Sequence, residues 1–280
     1  MQTDSQTGKY TLATGKAAVR RLHILHDTYS PVGRRVLLQA GLAPGMSVAD
    51  FGCGVGTVTR MLAEMVGPSG HVTGIDLSAD QLAQGLEFCQ AHGIGHVSFL
   101  EASATATGLP RNSFDLVYCR FLLLHLTDPM AALRQMYDVL KPGGIIVVED
   151  GNLMTAGSNP PSALQHFADI FARLGPARSL NYGLADNLYH MVLAAGFAVP
   201  EIEIHQPAFS RGDKRLLLKL SVEEIGPACV STGLLTNEEL RQVLLDMDRD
   251  TNNPDILVLM PRMTLVWALK SAPSSPSTST

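Results

Sequence analysis

The feature that most constrains this chain is a glycine triplet that follows a short apolar run. Residues 48–51 are predicted to form a buried strand, and Gly52, Gly54 and Gly56 come directly after it. Glycine tolerates the backbone angles of a sharp strand-to-helix turn and leaves room for a ligand to approach the backbone. The amide groups at the start of the next helix, predicted over residues 57–66, would face that ligand. The triplet therefore predicts a ligand site at the end of a buried strand.

The spacing of the glycines separates two candidate ligands. A dinucleotide-binding fingerprint is Gly-x-Gly-x-x-Gly, which places a helix N-terminus against a pyrophosphate. Here the third glycine comes one residue early, in the pattern Asp50-x-Gly52-x-Gly54-x-Gly56. A second apolar run ends in Asp76, whose carboxylate can accept hydrogen bonds from both hydroxyls of a ribose. The pattern favours a ligand that contains a ribose but is not held through a pyrophosphate.

Strands and helices alternate after this point. Ser78 is predicted to be the N-cap of a helix over residues 79–91. Further apolar segments at 97–101, 113–120 and 139–150 are predicted to be strands. Such alternation is typical of a parallel sheet with helices on both faces. A ligand of such a sheet lies at the carboxyl ends of the strands.

Five of these segments together resemble a known family. They are the glycine loop, the acid Asp76, the strand and turn Val97–Ala104, the strand Ser113–Arg120 and the turn Leu140-Lys141-Pro142-Gly143-Gly144 with the strand that follows it. In this order they resemble the class I S-adenosylmethionine (SAM) dependent methyltransferases, in particular the UbiE-like or type 11-like small-molecule methyltransferases. The resemblance implies a cytoplasmic enzyme that binds SAM and moves its methyl group to a carbon, nitrogen or oxygen atom of a small acceptor.

The resemblance also implies a fold. We expect an α/β, Rossmann-like, seven-stranded and mostly parallel sheet with helices on both faces, completed by strands near 199–205 and 263–268. Between those two strands, helices are predicted near 215–225 and 236–248. Thr236 would be the N-cap of the second helix in a capping box. This insertion is too long for a hairpin, so we expect it to form a helical cap over the acceptor pocket.

The chain is accordingly divided into four segments. Residues 1–41 are expected to form an N-terminal helical lid, with a second helix over 30–41 opened by Ser30-Pro31. Residues 42–151 would be the SAM-binding core, and 152–270 would complete the sheet and carry the acceptor-binding cap. Residues 271–280 are rich in Ser, Thr and Pro and are expected to be disordered.

The resemblance assigns candidate cofactor-binding residues at the strand ends and in the lid. Ser103 stands where the family usually has an acid beside the adenine, and its hydroxyl can still accept a hydrogen bond. The candidate set is Tyr10, Asp50, Gly52, Gly54, Gly56, Thr57, Asp76, Leu77, Ser103, Ala104 and Cys119.

Catalytic residues are expected to be few, because SAM already carries an activated methyl group and the protein mainly aligns the acceptor. His125 follows the fourth strand and is the candidate base or acceptor-orienting residue, with a hydrogen-bonded structural role as the alternative. Candidate acceptor contacts are Tyr29, Arg120, Asp150 and His166. No metal site is expected, since the four cysteines are far apart and form no Cys-x-x-Cys pair.

Composition narrows the partners. The chain has 280 residues, 46% hydrophobic and 17% charged, with a net charge of −5 and no basic stripe, which disfavours a nucleic-acid substrate. No apolar run approaches a membrane span of roughly 18 residues, so stable membrane insertion is not expected. The many apolar residues of the second half favour an apolar or aromatic metabolite, with secondary-metabolite scaffolds ahead of quinones and lipid headgroups. A homodimer is left open.

Two other functions stay open at this stage. A SAM-binding protein without methyl transfer, whether a regulator or a non-methylating enzyme, would carry the same cofactor motifs. An NAD-dependent oxidoreductase would share the general fold, but its Gly-x-Gly-x-x-Gly fingerprint requires the third glycine at position 57, where this chain has Thr57.

Overall fold

The computed structural model describes residues 16–271. Ten strands lie in this part of the chain: β1 Ser47–Phe51, β2 His71–Asp76, β3 Val97–Glu101, β4 Phe114–Arg120, β5 Leu140–Asn152, β6 Gly157–Asn159, β7 Glu201–His205, β8 Ala208–Phe209, β9 Leu257–Leu259 and β10 Arg262–Leu269. Seven of them form one sheet in the order β3-β2-β1-β4-β5-β10-β7. β10 is antiparallel to both of its neighbours, and the other pairings are parallel. The expected seven-stranded, mostly parallel sheet is confirmed.

Eight α-helices accompany the strands in the described residues: α1 Lys16–Ala40, α2 Thr57–Val66, α3 Ala79–Ala91, α4 Pro129–Val139, α5 His166–Ala177, α6 Leu188–Ala194, α7 Leu217–Ser231 and α8 Asn237–Thr251. The predicted bounds of α2 and α3 are confirmed. Ser78 caps α3 by accepting a hydrogen bond from the Gln81 amide at 3.3 Å. The capping box of Thr236 and Glu239 at the start of α8 is also present.

The central strands are buried on both faces, as their near-continuous apolar sequences require. Phe51 in β1 and Tyr118 in β4 have no exposed surface. β1 lies between β2 and β4, so that Asp50 is opposite Gly74 on one side and Tyr118 on the other. The strand order reverses at β1 and β4, which is where open sheets of this kind bind ligands.

The prediction that a separate helix opens at Ser30-Pro31 is wrong, because α1 runs without interruption through both residues. A proline inside a helix has no amide to donate to the carbonyl four residues earlier, which here belongs to Asp27. The Lys214 ammonium donates to that Asp27 carbonyl oxygen instead, at 2.7 Å. A side chain from the distant cap segment thus supplies the partner that the proline removes.

A second, small sheet was not predicted. Strands β6, β9 and β8 pair antiparallel in the order β6-β9-β8. Each of these strands has only two or three residues. This sheet connects the segment after β5 with the segment that enters β10.

Candidate active site

The glycine loop turns sharply between β1 and α2. Gly52, Gly54 and Gly56 have φ values of 71°, 55° and 72°, which lie in the left-handed region that favours glycine. The amides of Gly52 and Cys53 both donate to the carbonyl of Ile75, at 2.8 and 3.0 Å. The loop is thereby fixed against the end of β2 with its backbone facing a cavity.

Asp76 is the last residue of β2 and orders this loop. Its Oδ2 accepts a hydrogen bond from the Gly54 amide at 2.9 Å, and its Oδ1 accepts one from the Ser78 amide at 3.0 Å. The side chain lies on the cavity wall, although the residue is only 8% exposed. Each carboxylate oxygen has a second lone pair, so Asp76 can accept further hydrogen bonds from a ligand.

Asp50 is in β1, two residues before Gly52, and is not on the cavity wall formed by the described residues. It is 2% exposed and accepts a hydrogen bond from the Thr59 hydroxyl at 2.7 Å. Burial raises the pKa of Asp50 to about 7, against the lowering effect of that hydrogen bond. Asp50 therefore joins β1 to α2 on either side of the loop, and it does not contact the cavity.

A cavity extends from the glycine loop to the segment after β7. Its wall includes the loop, one side of α1, the segment that follows β4, and parts of α5 and α7. The apolar side chains on the wall, apart from those of the loop and α2, are Leu22, Leu25, Phe121, Leu124, Leu153, Phe167, Phe171, Leu217, Leu218, Ile225 and Pro261. The polar and ionisable residues on the wall include Arg21, Asp76, Gln81, Arg120, His125, Ser221 and Glu224. We call the part of the wall formed by the glycine loop and Asp76 the loop end, and the part formed by these apolar side chains the apolar end.

His125 lies on the cavity wall, in a short helical turn Leu123–His125. Its ring packs edge-to-face against Tyr182, with ring centres 5.8 Å apart. Burial, assisted by the positive charges of Arg21 and Arg178, lowers the pKa of His125 to about 4. The imidazole is therefore neutral at physiological pH.

Tyr29 and Arg120 also line the cavity, as expected for acceptor contacts. Tyr29 is fully buried, and its hydroxyl donates to the Pro261 carbonyl at 3.2 Å. The Arg120 guanidinium donates to the Ser30 hydroxyl at 3.0 Å and lies 3.5 Å from Nδ1 of His26. Burial, followed by the charge of Arg120, lowers the pKa of His26 to about 4. Arg120 thus anchors α1 to the end of β4 beside the cavity.

The structure does not bring two predicted acceptor contacts to the cavity. Asp150 is fully buried, and its carboxylate accepts hydrogen bonds from the backbone amides of Leu123, Leu124 and Gly151 at 2.9, 3.3 and 3.0 Å. It fixes the turn that carries His125. His166 is exposed at the start of α5, whereas its neighbour Phe167 faces the cavity.

The predicted cofactor residues divide into two groups. Gly52, Gly54, Thr57 and Asp76 line the cavity. The others in the described part of the chain lie beyond its lining: Asp50, Gly56, Leu77, Ser103, Ala104 and Cys119. Leu77 is 55% exposed next to Asp76, and Cys119 is fully buried in β4. Tyr10 lies outside the described residues.

Apart from Tyr29, sequence reasoning missed the cavity residues of α1 and α7. On α7 these are Leu217, Leu218, Ser221, Glu224 and Ile225. Their spacing of three and four residues is the repeat of a single helix face, so that periodicity could have identified the face, though not what it contacts.

Residues 16–271 contain neither a metal-binding cluster nor a membrane-spanning helix. No cluster of three or more His, Cys, Asp or Glu side chains could hold a metal ion there. None of the helices in that range is long and apolar enough to cross a membrane.

Comparison with known proteins gives a match to part of this chain. Residues 48–144 match the family model described as a methyltransferase domain. These residues, which we call the methyltransferase domain, are 97 of the 280 residues of the chain. The methyltransferase domain contains the glycine loop, Asp76 and the turn of His125, and therefore forms the loop end of the cavity.

Curated relatives of the methyltransferase domain include a demethylmenaquinone methyltransferase of Listeria welshimeri. It is 38% identical over 132 residues, which are 47% of this chain and 54% of that protein. The chain thus matches about half the length of this relative.

Solved structures show the same fold over a longer stretch. The YcgJ protein of Bacillus subtilis has a TM-score of 0.57 and 18% identity, covering 84% of this chain and 96% of that one. The [4+2]-cyclase SpnF has a TM-score of 0.52 and 21% identity, covering 93% of this chain and 84% of that one. The methyltransferase domain and the strands that complete its sheet therefore share one architecture with both.

Proposed function

We propose that this protein transfers the methyl group of SAM to a small, largely apolar acceptor. The observation that carries the proposal is the single cavity that joins the glycine loop and Asp76 to an apolar compartment beside His125. A cofactor held at the first end would present its reactive group toward an acceptor held at the second. Reaction of two ligands held in this way needs alignment and exclusion of water more than it needs acid–base groups.

The residues at the loop end fit SAM. A Cβ on Gly54 would lie 2.9 Å from Oε1 of Gln81, which also lines the cavity, so a side chain at Gly54 would take up cavity space beside the loop. The Thr57 hydroxyl is buried on the cavity wall without a hydrogen-bond partner among residues 16–271. In the proposed complex Asp76 accepts hydrogen bonds from the ribose hydroxyls, and Leu77 and Ser103 lie toward the adenine. Cys119 is fully buried in β4 and does not reach the ligand.

When bound, SAM supplies a methyl group that its sulfonium has already activated for displacement. The protein's own contribution is to orient the acceptor and keep water out of the apolar compartment. His125 suits an orienting role better than that of a strong base, because a histidine with a pKa of about 4 holds a proton weakly at neutral pH. A neutral imidazole can still accept or donate one hydrogen bond to an acceptor.

The acceptor class is proposed from the compartment and from the relatives. Aromatic side chains Phe121, Phe167 and Phe171 favour a flat apolar ring. The Listeria relative is named for demethylmenaquinone, so quinone precursors should be tested beside the secondary-metabolite scaffolds that the sequence suggests. Transfer to carbon is the first reaction to look for, with nitrogen and oxygen acceptors next.

Calorimetric titration of the purified protein with SAM, S-adenosylhomocysteine and NADH tests the cofactor. Micromolar binding of the first two without the third is the expected result, and binding of NADH alone would refute the proposal. Transfer of a labelled methyl group to a panel of aromatic acceptors then tests turnover.

A second candidate is a SAM-binding enzyme that does not methylate. This candidate is kept because the fold is shared with SpnF, which is named as a [4+2]-cyclase. Tight SAM binding with no transfer to any acceptor of the panel would favour it.

A further inference from the structure

The apolar end of the cavity contains one buried pair of opposite charges. Arg21 on α1 and Glu224 on α7 both line the wall, and their side chains are only 13% and 5% exposed. Nη2 of Arg21 donates to Oε1 of Glu224 at 3.2 Å, and Nε lies in ion-pair contact with Oε2. The pair therefore joins the two helices that close this end.

The pair uses only part of its hydrogen-bonding capacity. Nε and Nη2 of Arg21 and both carboxylate oxygens of Glu224 are engaged with each other. A guanidinium has five N–H donors and each carboxylate oxygen has a second lone pair, so both groups can still bind a ligand. Burial raises the pKa of Glu224, while the charge of Arg21 opposes that shift. Arg21 also contributes to the lowered pKa of His125, which shows that its charge acts at the site of the candidate orienting residue.

The fold alone does not explain this pair. Moving two charges out of water costs several kcal/mol per ion, and a pair of apolar side chains of similar volume often gives equal or greater stability. A buried pair that lines a cavity, and that keeps donors and lone pairs beyond its own contact, is instead suited to a ligand.

We propose that Arg21 and Glu224 together bind a hydroxyl group of the methyl acceptor, which is therefore a neutral hydroxylated ring compound. A hydroxyl can donate to the Glu224 carboxylate and accept from the Arg21 guanidinium at once. A carboxylate or phosphate would be repelled by Glu224, and an ammonium group by Arg21. The opposite charges thus select a neutral group that both donates and accepts. This inference rests on the proposed function, since it concerns the acceptor end of the same cavity.

The chain offers a matched control on the same two segments. Arg20, next to Arg21, pairs with Asp213 in the turn before α7 at 2.9 Å. That pair is exposed, with side-chain values of 54% and 76%, and does not line the cavity. Substituting it removes an ion pair between α1 and the cap without changing the cavity wall.

The test uses three probes that differ in one substituent: 2-naphthol, naphthalene and 2-naphthoate. Each is titrated into the protein with and without S-adenosylhomocysteine. The wild type should bind 2-naphthol about tenfold or more tighter than naphthalene, as expected for hydrogen bonds to charged groups. It should bind 2-naphthoate more weakly than 2-naphthol.

In the double variant Arg21→Met/Glu224→Leu, the preference for 2-naphthol over naphthalene should fall to less than about threefold. Affinity for S-adenosylhomocysteine should stay within about twofold, which also shows that the variant is folded. Glu224→Gln keeps the shape of the side chain and should reduce the preference severalfold. The control Arg20→Met/Asp213→Leu should keep it.

Three results would overturn the inference. They are an unchanged preference in the double variant, no preference in the wild type, and tighter binding of 2-naphthoate than of 2-naphthol. Failure of the wild type to bind S-adenosylhomocysteine would instead refute the proposed function. The probe titrations without S-adenosylhomocysteine would still decide the role of the pair.

Discussion

Substitution of Asp76 can distinguish two roles of this residue, ordering the glycine loop and binding the ribose of the cofactor. Asp76→Ala removes the acceptor of the Gly54 and Ser78 amides, which lie at 2.9 and 3.0 Å from its oxygens. Hydrogen bonds to charged groups contribute about 1.5–3 kcal/mol each. Since the Ser78 amide can regain water, we expect a loss of about 2 kcal/mol in the free energy of unfolding, measured by urea denaturation.

The same substitution should weaken binding of S-adenosylhomocysteine. Loss of charge-assisted hydrogen bonds to the ribose hydroxyls corresponds to about 2 kcal/mol, or roughly a 30-fold increase in Kd by calorimetry. Ser78→Ala is the matched control, because it removes the N-cap of α3 next to Asp76 without altering the cavity wall. It should cost about 1 kcal/mol of stability and leave Kd unchanged.

An unaltered Kd in Asp76→Ala, together with the predicted loss of stability, would refute the ribose assignment. Asp76 would then only order the loop. A similar increase in Kd in Ser78→Ala would also refute it, because any local loosening of the loop would then explain the effect.

Three further predictions concern the glycine loop, Asp50 and α1. Gly54→Val places a branched side chain at φ 55° and its Cβ 2.9 Å from Oε1 of Gln81, so it should abolish S-adenosylhomocysteine binding in calorimetry while the far-UV circular dichroism spectrum is retained. Unchanged affinity would exclude the loop from the site. Asp50 has a raised pKa of about 7, so its contribution to stability is present at low pH and is lost as the pH rises toward 7. The gain in unfolding free energy from Asp50→Asn should therefore be about 2 kcal/mol larger at pH 8 than at pH 5 in urea titrations, and a pH-independent gain would contradict the raised pKa. Gly33→Ala would place a carbon 2.9 Å from Oε2 of the buried Glu149, so it should lower stability by about 1–3 kcal/mol despite the better helix propensity of alanine, and a stabilised variant would show that α1 can shift there.

Local signals predicted much of this molecule. The bounds of α3, its Ser78 cap and the Thr236 capping box depend on residues within one helical turn, so the sequence is sufficient to locate them. The glycine loop and Asp76 could also be located from the sequence, because the loop directly follows an apolar strand and Asp76 ends the next one.

What the sequence could not predict depends on distant partners. The continuous helix through Pro31 needs Lys214, which is 187 residues away from the Asp27 carbonyl that it binds. The Arg21–Glu224 pair spans 203 residues. β6 and β9 have three residues each, too few for a strand periodicity to be recognised. His166 was proposed from residue type alone, and the helix turns Phe167 toward the cavity instead.

The part of the cavity that the sequence predicted and the part that it did not predict are formed by different segments of the chain. The loop end is formed within residues 48–144, the part that matches the methyltransferase domain model. The acceptor end is formed mostly by α1, α5 and α7, which all lie outside that range. A relative can therefore share the cofactor loop with this chain and still bind a different acceptor, because a separate set of residues contacts it. Acceptor specificity has to be tested on α1 and α7, where Arg21 and Glu224 place opposite charges on an otherwise largely apolar wall.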